Sequence, residues 1–244
     1  MLLTLLFHQI DPPNSEVLEN KLTFLKKYYP LLLPGENFSF FKTSLLLTFD
    51  DAYFDFYYYL FPLLKKLKIK VLLAAPAGCI LDQTDVPAQK RLELLKIHKN
   101  KLFKKENKAA FCTFKELKEM ADTGLVEIAS HSFSHTNLTQ IEKTADLEKE
   151  VVGSKELLKS KLGYPVKTFV YPYGRFNASV HAYVKQHYQY VLRIGSALNF
   201  SWQNFSGLIY RQNITNFNLL ESSLKKRRYL PYVGYYLLNT LRGR

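Results

Sequence analysis

The chain has 244 residues, 47% hydrophobic and 23% charged, which excludes a disordered polypeptide and allows one sizeable core. Its formal net charge of +13 either serves solubility or favours anionic partners such as nucleic acid, acidic lipid or acidic glycan, and no nucleic-acid-binding motif accompanies it. The two cysteines, Cys79 and Cys112, lack metal-site spacing, which argues against a disulfide framework or a thiolate site and predicts two small buried hydrophobes.

Leu2 to Phe7 reads as a first strand that ends at His8. The run is short, lacks a basic flank and has no small-residue cleavage site, so it is read as a strand and not as a leader. No run approaches the roughly 20 apolar residues of a membrane span, and a cytoplasmic protein is expected. Asn14 or Ser15 is placed to cap a helix reaching about Tyr29, with Leu18, Leu22 and Leu25 at helical spacing. Pro30 to Gly35 turns the chain toward a strand at Leu45 to Phe49, which runs straight into Asp50 and Asp51. Tyr53 to Leu67 reads as a helix that Pro62 kinks or restarts, with its tyrosines used for packing.

Lys70 to Ala75 is the third strand, and the long connection that follows contains a helix from Ala88 to about His98. Thr113 and Glu116 fit a capping box that opens a helix stopped by Gly124. A strand at Val126 to Ala129 leads into Ser130-His131-Ser132-Phe133-Ser134-His135. Thr139 and Glu142 fit a second capping box, predicting a helix to Leu162 with Gly163 at its end. Thr168 to Val170 is a strand, Asn177 caps a helix through His187, Tyr190 to Ile194 is a strand, and Leu208 to Tyr210 is a last strand that ends at Arg211. Alternating strands and helices predict one domain over residues 1–244, an α/β chain whose parallel sheet closes into a barrel.

Three strand ends carry chemistry. A helical turn over residues 131–135 stacks His131 on His135, roughly 5–6 Å apart at Cβ, within reach of one divalent metal. A catalytic site of that kind needs a third protein ligand and an open position. The Asp50-Asp51 pair offers one carboxylate for the metal and another for proton transfer. Tyr171-Pro172-Tyr173-Gly174 forms a tight turn able to expose backbone N–H groups. Singly, each motif is as readily a turn or a structural histidine pair; the case rests on all three ending parallel strands at one face.

Thr48-Phe49-Asp50-Asp51, His131-Ser132-Phe133-Ser134-His135 and Tyr171-Pro172-Tyr173-Gly174, in that order, resemble the leading motifs of the polysaccharide deacetylases, the NodB-homology carbohydrate esterases. The resemblance implies a single-domain distorted (β/α) barrel. It also implies that Asp51, His131 and His135 hold a divalent metal, most simply Zn2+, that Asp50 is the general base, and that the Tyr173 backbone N–H stabilises the oxyanion. The sequence departs from the family pattern in three ways. No Arg closely precedes Tyr171, so Arg211 is taken as the group that orients the base. The fourth motif with its Asp and Trp is not evident, and the late Leu-x-His motif is absent, which leaves His8 as the replacement acid, with a hydrogen-bonded rim residue as its plainer reading. His181 and His187 are read as structural.

The expected activity is hydrolysis of an N-acetyl or N-formyl group from an amino sugar in a glycan or lipid-linked glycan precursor. The alternatives are the same chemistry on a non-sugar amide or imide, and a non-catalytic glycan-binding protein. The tail over residues 225–244 joins a Lys225-Lys226-Arg227-Arg228 cluster to aromatic and aliphatic residues. It suits either a helix packed on the barrel or peripheral contact with the inner face of an anionic membrane.

Overall fold

The structure, a computed structural model, describes residues 1–10, 15–97, 99–214, 224 and 233–238. Seven strands close into one all-parallel barrel in sequence order: β1 (Leu2–Phe7), β2 (Ser44–Phe49), β3 (Val71–Ala75), β4 (Val126–Ser130), β5 (Thr168–Val170), β6 (Tyr190–Ile194) and β7 (Ile209–Asn213). Closure comes from β1, which pairs with β2 on one side and β7 on the other. A side-chain period of two sends Leu2, Leu46, Leu72, Ala74, Ala129, Val170, Leu192 and Ile209 into the barrel. The alternate residues, among them Leu3, Leu5, Leu45, Leu47, Val71 and Leu73, face the helical layer. Strands buried on both faces explain the near-continuous apolar runs.

The helices are α1 (Ser15–Tyr28), α2 (Phe61–Leu67), α3 (Ala88–Leu94), α4 (Lys99–Leu102), α5 (Phe114–Asp122), α6 (Thr144–Glu148), α7 (Ser154–Leu162) and α8 (Ala178–His187). In α1, Leu18, Leu22 and Leu25 are buried, as their spacing predicts. α5 opens on a complete capping box, with the Glu116 N–H donating to Thr113 Oγ1 at 3.2 Å and the Thr113 N–H to Glu116 Oε2 at 2.7 Å. Asn177 Oδ1 caps α8 by accepting from the Val180 N–H at 2.9 Å. Cys79 and Cys112 are free and buried.

Several expectations are corrected. The capping box at Thr139 and Glu142 does not form: Asn137 caps a 3-10 turn over Leu138–Gln140, and α6 begins only at Thr144. The helix from Ala88 ends at Leu94, and His98 lies outside the described residues. α2 starts at Phe61 with Pro62 in its first turn, and it directly follows a π-helical segment, Phe56–Leu60. A proline lacks the N–H for the i−4 bond, and the wider turn accommodates that gap. A second π segment, Lys149–Gly153, joins α6 to α7. Among the described residues no helix is long and apolar enough to cross a membrane. The Lys225–Arg228 cluster lies outside them, and of the tail only residues 233–238 are described; they form a short helix whose Tyr236 packs on Phe200, ring centroids 4.8 Å apart.

At the end of the barrel away from the strand C-termini, Glu127 accepts a hydrogen bond from Thr168 Oγ1 at 2.7 Å. Burial raises its carboxyl pKa to about 7. Because the folded chain then holds a proton that the unfolded chain releases at lower pH, Glu127 should make stability fall as pH rises from about 5 to 8, by about 2 kcal/mol. Urea unfolding across that range should show this slope in the wild type and its loss in Glu127→Gln; equal slopes would refute the assignment.

Candidate active site

The parallel ladder delivers His8, Asp50, His131 and Tyr171 just past the C-terminal ends of β1, β2, β4 and β5, the end at which barrels of this kind build their sites. A cavity of about 540 Å³ opens there, lined by His8, Asp50, Asp51, His131, His135 and Tyr173, and also by Tyr53, Phe103, Ser134, Ile194 and Asn213. Six of the seven residues singled out from the sequence line one cavity. The seventh, Arg211, lies within β7 and not at its end, fully buried inside the barrel beneath the cavity floor. Its Nη1 donates to Asp50 Oδ1 at 2.6 Å and to Thr48 Oγ1 at 3.2 Å, and its Nη2 donates to Asp50 Oδ2 at 2.9 Å. Burial would raise the Asp50 pKa, but the forked guanidinium holds it below the usual carboxylate range.

Asp51 Oδ1 stands 3.2 Å from His135 Nε2 and 3.6 Å from His131 Nε2, buried and without a hydrogen bond among the described residues. One donor atom from each of Asp51, His131 and His135 falls within 4.8 Å of the others. Donors about 2.1 Å from a common ion at tetrahedral or octahedral angles stand about 3.0–3.4 Å apart; the Asp51–His135 spacing of 3.2 Å falls in that range and the Asp51–His131 spacing of 3.6 Å lies just above it, so a small side-chain adjustment would close the three donors on a divalent cation. His131 is oriented for such a role: its Nδ1 donates to the Val170 carbonyl at 2.8 Å, which leaves the Nε2 lone pair facing the carboxylates. Burial lowers the His131 pKa to about 4, so the ring is neutral at physiological pH. For Asp51, burial opposes ionisation and the adjacent imidazoles, His135 foremost, overcome it, leaving the carboxyl well below its ordinary range.

The two histidines meet without the expected helical turn. Residues 131–135 are irregular, with Ser132 and His135 in the left-handed region at φ 61° and 58°, and the rings lie 4.8 Å apart. Glu150, from the π segment before α7, fixes this loop by accepting from the N–H groups of Phe133 and Ser134 at 3.0 and 2.9 Å and from the Ser134 hydroxyl. Gly78 supports the loop from the far side, its N–H donating to the Phe133 carbonyl at 2.7 Å. A Cβ there would meet the Phe133 ring at 2.4 Å. Phe103, from the long connection before α5, stacks on His135 with centroids 4.1 Å apart and planes 9° off parallel. Sequence reading missed Glu150, Gly78 and Phe103, which act through backbone and ring faces and belong to no strand-end motif. The turn at Tyr171 to Gly174 holds Tyr173 at φ 58°, and the residue, 58% exposed, lines the cavity. His181 is structural: Nε2 donates to the Ser206 carbonyl at 2.8 Å and Nδ1 accepts from the Tyr171 hydroxyl at 3.1 Å.

The polysaccharide deacetylase family model matches residues 40–191, more than half of the chain and a span containing all three motifs. The chain belongs to the polysaccharide deacetylase family. Among curated proteins it is similar to the poly-beta-1,6-N-acetyl-D-glucosamine N-deacetylase of Escherichia coli K12, with 28% identity over 162 residues, 56% of this chain and 22% of that protein. It thus spans about a fifth of that relative's length. Among solved structures it resembles the polysaccharide deacetylase BA0330 of Bacillus anthracis, with a TM-score of 0.71 and 21% identity over 92% of this chain and 69% of that one. The deacetylase PplD of Streptococcus pyogenes gives 0.69 and 20% over 92% and 98%, and IcaB of Ammonifex degensii 0.67 and 18% over 91% and 95%. At these identities the structural likeness establishes the barrel.

The buried Arg211–Asp50 pair yields a stability test. Arg211→Met strands a buried carboxylate and should lower the unfolding free energy by about 3–5 kcal/mol. Adding Asp50→Asn should recover a large part of that loss in urea titrations. Additive costs for the two changes would contradict the coupling.

Proposed function

We propose that the chain is a metal-dependent hydrolase that removes an N-acyl group, acetyl or formyl, from an amino sugar of a glycan. The observation that carries this reading is the convergence of Asp51, His131 and His135 on one point, with ionised Asp50 beside them at the cavity floor. Family membership and the substrate named for the Escherichia coli relative support the amino-sugar class. A divalent ion, most simply zinc, held by Asp51, His131 and His135 would supply Lewis acidity, acidifying water and stabilising negative charge on an acyl oxygen.

This chain's own residues would carry the remaining roles. Asp50, kept ionised by Arg211, accepts a proton from the water that attacks the acyl carbon. Its two hydrogen bonds from one planar guanidinium fix the carboxylate plane, so the accepting lone pair is aimed before substrate arrives. The strained turn presents the Tyr173 N–H toward the developing oxyanion, a donor that needs no reorganisation during the reaction. His8, which also lines the cavity, donates the proton that the departing amine needs as the C–N bond breaks. The products are a free amine and a carboxylate. Phe103 and Tyr173 flank His135 and narrow the approach of bulk water.

Metal-stripped protein should release no amine from short N-acetylglucosamine oligomers, and added zinc or cobalt should restore release. Asp50→Asn should retain the metal while kcat falls at least about 100-fold, whereas His131→Ala and Asp51→Asn should lose metal and activity together. Metal binding without amine release from any N-acyl amino sugar would overturn the reading.

A further inference from the structure

A second cavity lies beside the catalytic one. It has a volume of about 730 Å³ and is lined by Arg175, Lys185 and Arg193, with Thr139, Asn177 and Phe176 among its other walls. No carboxylate is among the described residues that line it. Arg175 and Lys185 are exposed, and their side chains make no ion pair or hydrogen bond among the described residues. Arg193 is held in place, with Nε donating to the Ile194 carbonyl at 2.8 Å and the guanidinium 5.0 Å from the Phe176 ring centroid. Lys185 is one of the influences that lower the His181 pKa, after burial and against the bond to Ser206, which agrees with a positive local potential.

The two cavities share a wall. Ile194 and Tyr173 face the catalytic side, while their neighbours Arg193 and Gly174 face the basic side. Gly174, at φ 65°, allows the turn to press against β6, where a Cβ would meet Ile194 Cβ at 2.8 Å. A ligand seated over Asp50 and crossing the Tyr173–Gly174 rim therefore enters a concave surface carrying three cationic side chains. Forked guanidinium groups and an ammonium around one hollow match the oxygens of a phosphate ester.

We infer that this cavity is an anion subsite that binds a phosphate ester carried by the reacting amino sugar of the substrate. The inference deepens the proposed deacetylation by naming a phosphorylated substrate class, and it rests on that reading for the placement of the sugar. It also assigns part of the +13 net charge to substrate recognition.

Calorimetric binding of N-acetylglucosamine and N-acetylglucosamine 6-phosphate to zinc-restored full-length protein tests the subsite without requiring turnover. The phosphorylated sugar should bind at least about tenfold more tightly, and raised salt should diminish the preference. Arg175→Gln/Lys185→Gln should bring the two sugars within about twofold of each other while leaving amine release from neutral oligomers unchanged. Phosphate bound elsewhere, for instance at the metal, would keep its preference in the double variant and would overturn the inference, as would equal binding of both sugars by the wild type. If no N-acyl amino sugar, short oligomers included, is hydrolysed but the preference follows Arg175 and Lys185, the subsite stands and the deacetylation reading fails.

Discussion

The forked contact between Arg211 and Asp50 ties the barrel interior to the chemistry at its mouth. Both groups are almost wholly removed from water, and an isolated charge there would be prohibitively unfavourable. Paired, each satisfies the other, and the pair fixes the relation of β7 to β2, strands that flank β1 on opposite sides. The same contact keeps Asp50 ionised although burial opposes it. An arrangement that helps define barrel closure therefore also sets the protonation state of the candidate base.

Around that fixed point the backbone is held in conformations that side chains disfavour. Of the six non-glycine residues at positive φ among the described residues, Asp51, Ala52, Ser132, His135 and Tyr173 belong to the three motif turns, and only Lys68 lies elsewhere. Each left-handed residue costs on the order of 1 kcal/mol or more, so local preference cannot have produced the cluster. It is over-determined by the surroundings: the parallel ladder fixes where each turn starts, and Glu150 and Gly78 clamp the histidine loop from two sides. The second π segment has a direct role here, because Glu150 lies on it. One π turn shifts the helix face that follows, which lets α7 pack on the barrel while Glu150 points at the loop.

These facts also explain what could be read from the sequence. The strands were legible because a strand buried on both faces leaves an apolar run that ends abruptly in polar residues, as at Phe49-Asp50 and Ala129-Ser130-His131; the last was placed but cut short, since β7 runs past its apolar residues through Arg211 to Asn213. The residues of the candidate site were legible because parallel topology puts every such ending at the same rim. The path between His131 and His135 was not, since i, i+4 spacing points to a helical turn and the left-handed residues that replace it carry no composition signal. Arg211 was found as a strand-end residue although it sits inside β7. Nothing in the sequence distinguishes a side chain that reaches the mouth from one that supports it from below. The false capping box at Thr139 and Glu142 failed because Asn137, two residues earlier, captured the Thr139 N–H and hydroxyl at 3.2 and 2.9 Å, closing a tighter turn first.

The same strand geometry that gathers the candidate catalytic groups also places a second chemistry next to them. On β6 a period of two sends Ile194 inward to the catalytic cavity and Arg193 outward to the basic one, so a single peptide separates the two environments. The turn opposite repeats the division through Tyr173 and Gly174. The two walls are in close contact, because Gly174 lies too close to Ile194 to admit even a methyl group. A ligand that spanned both cavities, as inferred above, would meet a close-packed spacer, and the separation between reacting group and anion would be set by one strand and one turn of the barrel. Such a spacer selects substrates by the position of their charge as well as by its presence, because an anion attached at the wrong distance cannot reach the cations while the acyl group sits over Asp50.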